Sequence, residues 1–474
     1  MVQIPRLPII CAMLAAACAV NGAGWCATPS PAVPRASVAP QSRSSEDTDA
    51  DEALTLAQAV TGPTVGVAPQ AIQPAETSVT LFAGVGAKGP VRKPVQARSL
   101  RQFEAAFDGP AGNGELYNAV QLFFSNGGQR AWVVCLGETA SGVGVTDVRS
   151  ALESVGEFNI LCLPGINDFA ALQAAVDVCE ARGAILLLDL PPACDSPALA
   201  KQWLSGHPGL QHPNVAAYVP WVKARAPVVR LSLSIPRPGI SRRVPGPFRG
   251  GVYPQVPRPT GRPPGQSVDL RPVPPSGAIA GVMARTDRAR GVWKAPAGTQ
   301  AHIRGIAGLV LEPSPQQINA FTALSVNPLR TLPDGPPVVW GSRTLSQNPE
   351  WRYVPIRRLY LFLHQSISRG TQWAVFEPND EPLWQRLRLN VGDFMQGLYR
   401  KGAFQGVSPD DAYFVKCGPE TTTPADIAAG VCNILVGFAA VKPAEFIILR
   451  ISQQTAAGAW HRGASSHAGL PGAA

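Results

Sequence analysis

A glycine-rich segment after a predicted strand is the first place in the chain where chemistry is expected. Gly84, Gly86 and Gly89 match the G-x-G-x-x-G pattern that binds the pyrophosphate of a dinucleotide. That chemistry requires a helix to begin in the loop, because the first N–H groups of the helix hold the phosphates. Two prolines follow instead, and no helical period begins before Gln102. The sequence favours a loop that ends a strand over a cofactor site.

Other side chains that are common in active sites occur without the partners that their chemistry needs. The apolar run 185–188 ends in Asp189, as in nucleotidases, but the chain has no G-x-x-x-x-G-K-[ST] phosphate loop. His207 and His212 lie five residues apart without a nearby third ligand for zinc. Neither a G-x-S-x-G nor an H-E-x-x-H motif is present. We therefore predict no catalytic residue, no metal site, no cofactor and no enzymatic activity.

Carboxylates and thiols are the remaining reactive groups. The segment Glu377-Pro378-Asn379-Asp380 is predicted to end a strand and cap the helix that follows, since Asn and Asp side chains accept bonds from free N–H groups there. The nine cysteines include no C-x-x-C pair. They are predicted to be buried, reduced thiols.

Alternating strand and helix patterns are expected to position these side chains. Residues 158–163, 169–181 and 184–190 are typical of a strand, a helix and a strand, with Asp168 as the helix cap. A crossover helix between two strands implies that the strands are parallel, which predicts an α/β core. Beyond residue 274 the patterns predict helices over 277–290, 315–324, 354–368 and 381–399, and strands over 338–340, 373–376, 413–417, 434–438 and 445–452.

The positive charge is concentrated in one segment. The chain has 474 residues and a formal net charge of +9, and residues 225–273 contain nine arginines, eleven prolines and a single acid. This composition predicts an exposed, poorly ordered insert. The rest of the chain is nearly neutral, which argues against nucleic acid as a partner. A hydrophobic content of 45% excludes global disorder.

The first residues resemble a targeting segment. Arg6 precedes the apolar run 7–20, and small residues follow, as in a secretory signal peptide. The run is too short for a membrane span, which needs about 20 apolar residues. Residues 28–76 are rich in Ala, Pro, Ser and Thr and are predicted to be a flexible lead-in.

A set of short motifs in a fixed order resembles a known family. They include Pro-Pro-Ser-Gly over 274–277, Gly-Val-Trp-Lys-Ala-Pro over 291–296, Trp-Gly-Ser-Arg-Thr over 340–344 and Phe-Glu-Pro-Asn-Asp over 376–380. Phe-Phe-x-Asn-Gly-Gly occurs earlier, over 123–128. In this order and spacing the chain resembles the contractile tail sheath family of bacteriophages and related injection machines, over about residues 77–224 and 274–455. The positions that carry the resemblance are Pro275, Ser276, Gly277, Arg285, Asp287, Gly291, Trp293, Lys294, Pro296, Trp340, Gly341, Arg343, Thr344, Arg358, Glu377, Pro378, Asn379 and Pro443.

The resemblance implies a fold and a division of the chain. The fold class is α/β (mixed α+β), a multi-domain subunit with a helix-flanked mixed sheet in its C-terminal domain and extended terminal arms. The expected segments are a signal-like or spurious extension (1–27), a flexible lead-in or N-terminal arm (28–76), the first part of the sheath domain (77–224), the disordered insert (225–273), the C-terminal sheath domain (274–442), a donor-strand arm (443–455) and a flexible tail (456–474).

The resemblance also implies a structural function. Members of the family polymerise in the cytoplasm into a helical sleeve around an inner tube, and contraction of the sleeve drives the tube through a target envelope. The implied partners are copies of this chain, the inner tail tube protein, and baseplate and tail terminator or cap proteins, with no nucleic acid and no membrane insertion. The final location is a phage tail or a phage-tail-like particle. Two other functions stay open: a secreted or periplasmic soluble protein, suggested by residues 1–27, and a nucleotide-dependent enzyme, suggested by the glycine loop.

The last predicted strand is the candidate contact between subunits. Rotating rigid bodies stay linked if an extended arm of one adds a strand to the sheet of its neighbour. The run 445–452 follows a proline and occupies the position of the family's C-terminal arm. An ordinary strand in the subunit's own sheet is the alternative. The candidate donor residues are Glu445, Phe446, Ile448, Arg450 and Ser452.

Overall fold

The structure, a computed structural model, describes residues 10–15, 71–86, 88–107, 114–138, 143–225 and 270–443. The strands of this part of the chain are β1 (Ile10–Ala15), β2 (Thr80–Gly84), β3 (Val95–Ala97), β4 (Ala131–Cys135), β5 (Ile160–Cys162), β6 (Ile185–Asp189), β7 (Val215–Val219), β8 (Val222–Arg225), β9 (Leu270–Val273), β10 (Gly308–Leu309), β11 (Asn327–Thr331), β12 (Pro337–Val339), β13 (Tyr413–Lys416) and β14 (Asn433–Phe438). Its α-helices are α1 (Leu100–Phe107), α2 (Gly114–Ser125), α3 (Val145–Glu153), α4 (Phe169–Arg182), α5 (Pro197–Gly206), α6 (Ser276–Arg290), α7 (Pro315–Ala323), α8 (Val354–Gly370), α9 (Glu381–Arg400), α10 (Pro409–Ala412) and α11 (Pro424–Ala428).

Eight of these strands form the central sheet, in the order β12-β11-β7-β6-β5-β2-β4-β3. The six strands from β11 to β4 pair in parallel, and the two edge strands are antiparallel to their neighbours. Every residue of β6 and β7 is buried. Such continuous apolar runs are typical of parallel strands that are covered on both faces. The predicted α/β class with a mixed sheet is confirmed.

Helices cover the two faces of this sheet. Successive side chains of a strand point to opposite faces, so Phe82 belongs to one core and its neighbour Leu81 to the other. The Phe82 core is closed by α1, α2 and α6. The Leu81 core is closed by α3, α4, α5 and α7. The result is a helix–sheet–helix sandwich, which fixes the position of α6 relative to the end of β6.

Two small antiparallel sheets flank the sandwich. One contains β10, β8 and β9, and the other contains β1, β14 and β13. The long helices α8 and α9 pack on the second of these through a third apolar core, which includes Leu359, Leu387, Met395 and Val436. Residues up to Val441 cluster as one compact unit, and Lys442–Ala474 form a second, of which the structure describes Lys442 and Pro443.

The predicted helices and their caps agree well with the structure. The four helices predicted beyond residue 274 are present, within two residues of the predicted ends. Asp168 caps α4 by accepting a hydrogen bond from the Ala171 N–H at 2.8 Å. Asp380 caps α9 by accepting a bond from the Leu383 N–H at 3.1 Å. The predicted capping segment before α9 is thus confirmed.

The strand predicted over 373–376 is wrong. Gln372–Ala374 form a turn of 3-10 helix, and Phe376 has a φ of 71° with a fully exposed side chain. The aromatic and β-branched residues of this run suggested a strand, but the run follows directly on α8 and has no partner strand in the described chain. These residues connect the long helices α8 and α9, and this connection outweighs their preference for a strand.

The ends of two predicted disordered segments are ordered. Arg225 and Leu270–Val273, inside the predicted insert, pair as the antiparallel strands β8 and β9, with Arg225 opposite Leu270. Ile72 and Ala75, inside the predicted lead-in, are buried against α8 and α9. Residues 226–269, 16–70 and 444–474 lie outside the described residues, and so does the predicted donor strand.

Two further findings concern the predicted division of the chain. Strands β11 and β12, from the predicted C-terminal domain, share the central sheet with strands from 77–224, so these two stretches are parts of one folded unit. Ile10–Ala15, inside the signal-like segment, pairs antiparallel with β14.

Candidate functional site: a buried polar network and an open sheet edge

The first residue of α6 is fixed to the end of a central strand. Ser276 donates its backbone N–H to Asp189 Oδ1 at 2.8 Å and its hydroxyl to Oδ2 at 2.5 Å. The Asp189 carboxylate therefore satisfies free N–H groups at the start of the helix, where a negative charge is stabilised. Burial nevertheless raises the pKa of Asp189 to about 7, and the two bonds from Ser276 oppose that rise. The aspartate that resembled a nucleotidase residue is a helix anchor.

Two glycines let α6 lie directly on the backbone of α2. A Cβ atom at Gly277 would overlap the backbone of Ala119, and one at Gly281 would overlap the carbonyl of Phe123. No larger residue fits at either position without separating the helices. This close approach explains why Gly277 follows the anchoring serine.

The C-terminal half of α6 carries a buried ion pair with α8. Arg358 Nη1 and Nη2 lie 2.9 and 2.6 Å from the two carboxylate oxygens of Asp287. Arg358 also donates to the Thr77 carbonyl at 2.8 Å, and the Thr77 hydroxyl donates to Asp287 at 2.7 Å. The two charged side chains are only 3% and 5% exposed. The network joins α6, α8 and the segment before β2, three parts of the chain that are far apart in sequence.

An arginine of α6, Arg285, closes the end of α2. Arg285 donates to the carbonyls of Asn126 at 2.9 Å and His302 at 2.6 Å. The Asn126 amide in turn donates to the carbonyls of Leu122 at 2.8 Å and Arg304 at 3.0 Å. The bond from Arg285 satisfies the Asn126 carbonyl just beyond the end of α2, and the bonds to the His302 and Arg304 carbonyls tie that end to the segment 302–304. Asn126 is the asparagine of the Phe-Phe-x-Asn-Gly-Gly motif, and these hydrogen bonds explain why the motif has an asparagine there.

The Trp-Gly-Ser-Arg-Thr motif secures the edge of the central sheet. Asn327, at the start of β11, accepts the backbone N–H of Arg343 at 2.6 Å and donates to the Ala217 carbonyl at 3.0 Å. Arg343 Nη1 donates to the Thr322 carbonyl at 2.7 Å, and Thr344 donates its hydroxyl to the Trp351 carbonyl at 2.6 Å. Gly341 packs directly on Asn327. The Arg330 guanidinium lies over the ring of Trp340, 4.8 Å from the ring centre.

The Glu-Pro-Asn-Asp motif organises the start of α9. Glu377 pairs with Arg386 at 2.7 Å, and Asn379 accepts from Trp384 Nε1 at 2.9 Å while donating to the Val431 carbonyl at 2.9 Å. The remaining motif positions act in the turns that flank α6. Pro275 precedes the helix, Gly291 ends it with a φ of 87°, and the Trp293 ring packs against Gly291. Lys294 closes the following turn through its N–H to Gly291, and Pro296 comes after it.

The structure thus brings many of the motif positions into bonds within one subunit. Asp287 and Arg358, separated by 71 residues, meet directly. Sequence reasoning missed Thr77, which completes the Asp287–Arg358 network, and Asn327, which binds Arg343 at the edge of the central sheet. Each is a polar residue next to a buried strand, and this position alone gives no signal of a distant partner. Pro443 is the last described residue, and the donor residues 445–452 lie outside the described chain.

The sheet of β1, β14 and β13 has an open edge in the described part of the chain. β14 pairs on one side with β1 and on the other with β13, and no described strand pairs with the outer side of β13. An unpaired strand edge presents N–H and C=O groups that another strand can bind.

The described residues contain no candidate for a metal site or a membrane span. Among the described residues, no group of three or more His, Cys, Asp and Glu side chains is arranged to hold a metal ion. His207 stacks on Trp203 at 4.2 Å, whereas His212 faces Glu180 at 3.7 Å, so the two histidines have separate partners. No helix of the described ranges has the length and apolar character needed to cross a membrane.

Known proteins resemble this chain in sequence and in fold. Residues 346–454 match the model of the phage tail sheath C-terminal domain family. The tail sheath protein of Enterobacteria phage T4 is 27% identical over 157 residues, 33% of this chain and 23% of that protein. This chain therefore spans about a quarter of the length of that curated relative.

Two solved structures are similar over most of the chain. A chain in the cryo-EM structure of the anti-feeding prophage baseplate is 27% identical with a TM-score of 0.61, and the match covers 83% of this chain and 99% of that one. The helical sheath of the same prophage in its contracted state gives 27% identity and a TM-score of 0.61, over 81% of this chain and 96% of that one. In sequence and fold the chain is thus similar to contractile tail sheath proteins, and its residues 346–454 match the phage tail sheath C-terminal domain.

Proposed function

We propose that this chain is the structural subunit of a contractile sheath, which polymerises helically around an inner tube and contracts to drive the tube through a target envelope. The observation that carries the proposal is the similarity to nearly the whole length of a contracted helical sheath subunit. Identical subunits that contact each other through two different surfaces form open helical polymers. The proposal requires no bound cofactor and no catalytic residue.

The buried polar network suits a subunit that moves as a rigid body. Contraction requires subunits to rotate relative to each other while each keeps its own fold. The Asp287–Arg358 pair and the Asp189–Ser276 bonds hold α6 to the central sheet and to α8 in one arrangement. A buried charge pair tolerates little change in geometry, because separation would leave either charge without a partner. We therefore place the motion between subunits and not within the described body.

The link between subunits is proposed to be the C-terminal arm. Residues 445–452 would leave one subunit after Pro443 and add a strand to a neighbour's sheet. The outer side of β13 offers such a strand a row of backbone groups, and backbone bonds would keep the subunits connected during rotation.

The proposed partners follow from the sheath function. They are further copies of this chain, an inner tail tube protein, and baseplate and tail terminator or cap proteins. Assembly in the cytoplasm, followed by incorporation into a phage tail or phage-tail-like particle, is proposed as the location. The comparison with a baseplate-containing particle supports this assignment.

Two truncations test the proposal. The chain ending at Lys442 lacks the proposed arm, and the chain ending at residue 455 lacks only the predicted tail. We expect the longer variant to assemble like the full chain in sedimentation velocity, and the shorter one to remain a folded monomer. Assembly of the shorter variant to the same extent as the full chain would exclude the arm as the link between subunits.

A further inference from the structure

Two cysteine side chains meet at the base of a loop in the C-terminal part of the chain. Cys417 directly follows β13, Cys432 directly precedes β14, and their sulfur atoms lie 3.7 Å apart. Cys417 is fully buried, whereas Cys432 is partly exposed. Among the described cysteines, these two are the one pair whose sulfur atoms lie within hydrogen-bonding distance of each other. The position therefore combines a buried thiol with one that solvent reaches.

The surroundings of the pair favour a thiolate at Cys432. The contact with Cys417 is the largest influence on Cys432 and lowers its pKa, and the same contact raises the pKa of Cys417. A thiolate is the nucleophile in thiol–disulfide exchange. Cys432 is thus the attacking sulfur, and Cys417 is the sulfur placed to resolve the product.

The neighbouring backbone holds the two ends of the loop together. The Thr421 hydroxyl donates to the Asn433 carbonyl at 2.9 Å, and the Asn433 N–H donates to the Thr422 hydroxyl at 3.1 Å. Arg388 donates to the Cys417 carbonyl, and the pairing of Lys416 with Leu435 fixes the two strands above. A disulfide requires its two cysteines to be close before the bond forms, and these bonds hold the two ends of the loop side by side.

From this arrangement we propose that Cys417 and Cys432 are a reversible redox pair, which forms a disulfide with small-molecule disulfides such as oxidised glutathione. The Cys432 thiolate attacks one sulfur of glutathione disulfide and releases one glutathione thiolate. Cys417 then attacks Cys432 Sγ, loses its proton and releases the second glutathione. Two protein thiols give up two electrons and two protons, and one glutathione disulfide becomes two thiols.

The disulfide would close the loop 418–431, which contains α11 and contacts the start of α9 through the Asn379–Val431 bond. Oxidation would restrict this loop and leave the strands β13 and β14 in their present register. This assignment differs from the expectation that the cysteines are buried, reduced thiols. It does not depend on the proposed sheath function.

The test uses the full-length protein equilibrated with glutathione buffers of graded potential. Free thiols are blocked with N-ethylmaleimide and the digest is analysed by mass spectrometry. We expect a cross-linked pair of peptides containing Cys417 and Cys432, whose yield rises with potential and falls to zero when reductant is added. Alkylation of both cysteines at every potential, or stable glutathione attached to Cys432 in the wild-type chain, would overturn the proposal.

Single variants separate the two roles. In Cys417→Ser we expect glutathione to remain attached to Cys432, because the resolving thiol is missing. In Cys432→Ser we expect Cys417 to remain reduced, because burial keeps the reagent from it. Cys194→Ser, at a buried cysteine elsewhere in the fold, is the matched control and should leave the cross-link unchanged. Glutathione on Cys417 of the Cys432→Ser variant would contradict the assigned order of attack.

Discussion

The buried Arg358–Asp287 pair is expected to be sensitive to substitution. Both side chains are buried, and removal of one leaves the other charged and without a partner. We expect Arg358→Ala to lower the free energy of unfolding by about 3–5 kcal/mol. Urea denaturation followed by circular dichroism measures the change.

An exposed pair on the same helix provides the control. Arg369 and Glu157 lie 2.7 Å apart with side chains 39% and 69% exposed. Arg369→Ala should change the free energy of unfolding by less than about 1 kcal/mol, as is usual for surface pairs. Equal effects of the two arginine substitutions would show that the buried pair does not hold α6 and α8 together.

Asp189 should make stability depend on pH. Its folded pKa of about 7 lies above the unfolded value of 3.8, so the folded chain keeps a proton that the unfolded chain releases. The resulting stabilisation is fully present below pH 3.8 and is lost as the pH rises through about 7. A difference of this size corresponds to at most about 4 kcal/mol. Two other titratable groups interact electrostatically with Asp189: the Glu115 carboxylate raises its pKa, and Asp189 raises the pKa of Cys162.

Asp189→Asn removes that titration and keeps an acceptor for Ser276. Relative to this variant, the wild-type chain should lose stability between pH 4.5 and 8 in urea denaturation. Asp177→Asn, at a half-exposed carboxylate paired with Arg149, is the control and should leave the wild-type pH profile in place. Parallel profiles for wild type and Asp189→Asn would contradict the assigned pKa.

At the level of helices and strands, the ends of helices could be predicted wherever a capping residue is present in the sequence. Asp168 and Asp380 cap helices at the expected positions, because a cap depends only on neighbouring residues. The run 373–376 has a strand composition without a strand partner, which only the three-dimensional arrangement reveals. The pairing of β8 with β9 was also missed, since Arg and Pro in β9 hide the strand pattern and the two strands are far apart in sequence.

Because α6 lies directly on the backbone of α2, a larger side chain at Gly277 is expected to destabilise the fold. Gly277→Ala places a methyl group on the backbone of Ala119 and must separate the helices. We expect a loss of about 1–3 kcal/mol in the free energy of unfolding. Gly397→Ala is the matched control, because the space beside this glycine of α9 is empty, and alanine there should stabilise the chain by up to about 1 kcal/mol. Equal tolerance of both substitutions, measured by thermal unfolding, would contradict the close packing.

Considered as a whole, the molecule combines distant parts of the sequence in one body. The fold class and the sheath resemblance were predictable, because they depend on periodicity and on motifs in a fixed order. The entry of β11 and β12 into the central sheet was not, since strand order is set by contacts between residues far apart in the chain. The roles of Thr77 and Asn327 were hidden for the same reason.

The insert should be dispensable for folding. Arg225 and Leu270 face each other at the open end of an antiparallel pair, so a two-residue Asn-Gly turn can replace residues 226–269. We expect the shortened chain to be soluble, with a thermal midpoint equal to or above that of the full chain, because a shorter loop costs less entropy to close. A lower midpoint or insoluble protein would show that the replaced segment contributes to the core.

Electron microscopy of the assembled protein tests the sheath assignment most directly. The full-length chain would be produced together with an inner tail tube protein and baseplate proteins of a contractile system, and the particles imaged in ice. We predict striated hollow cylinders whose wall is built from this chain in a helical lattice around a central tube. Particles that lack this chain, with the protein recovered only as a monomer, would contradict the assignment.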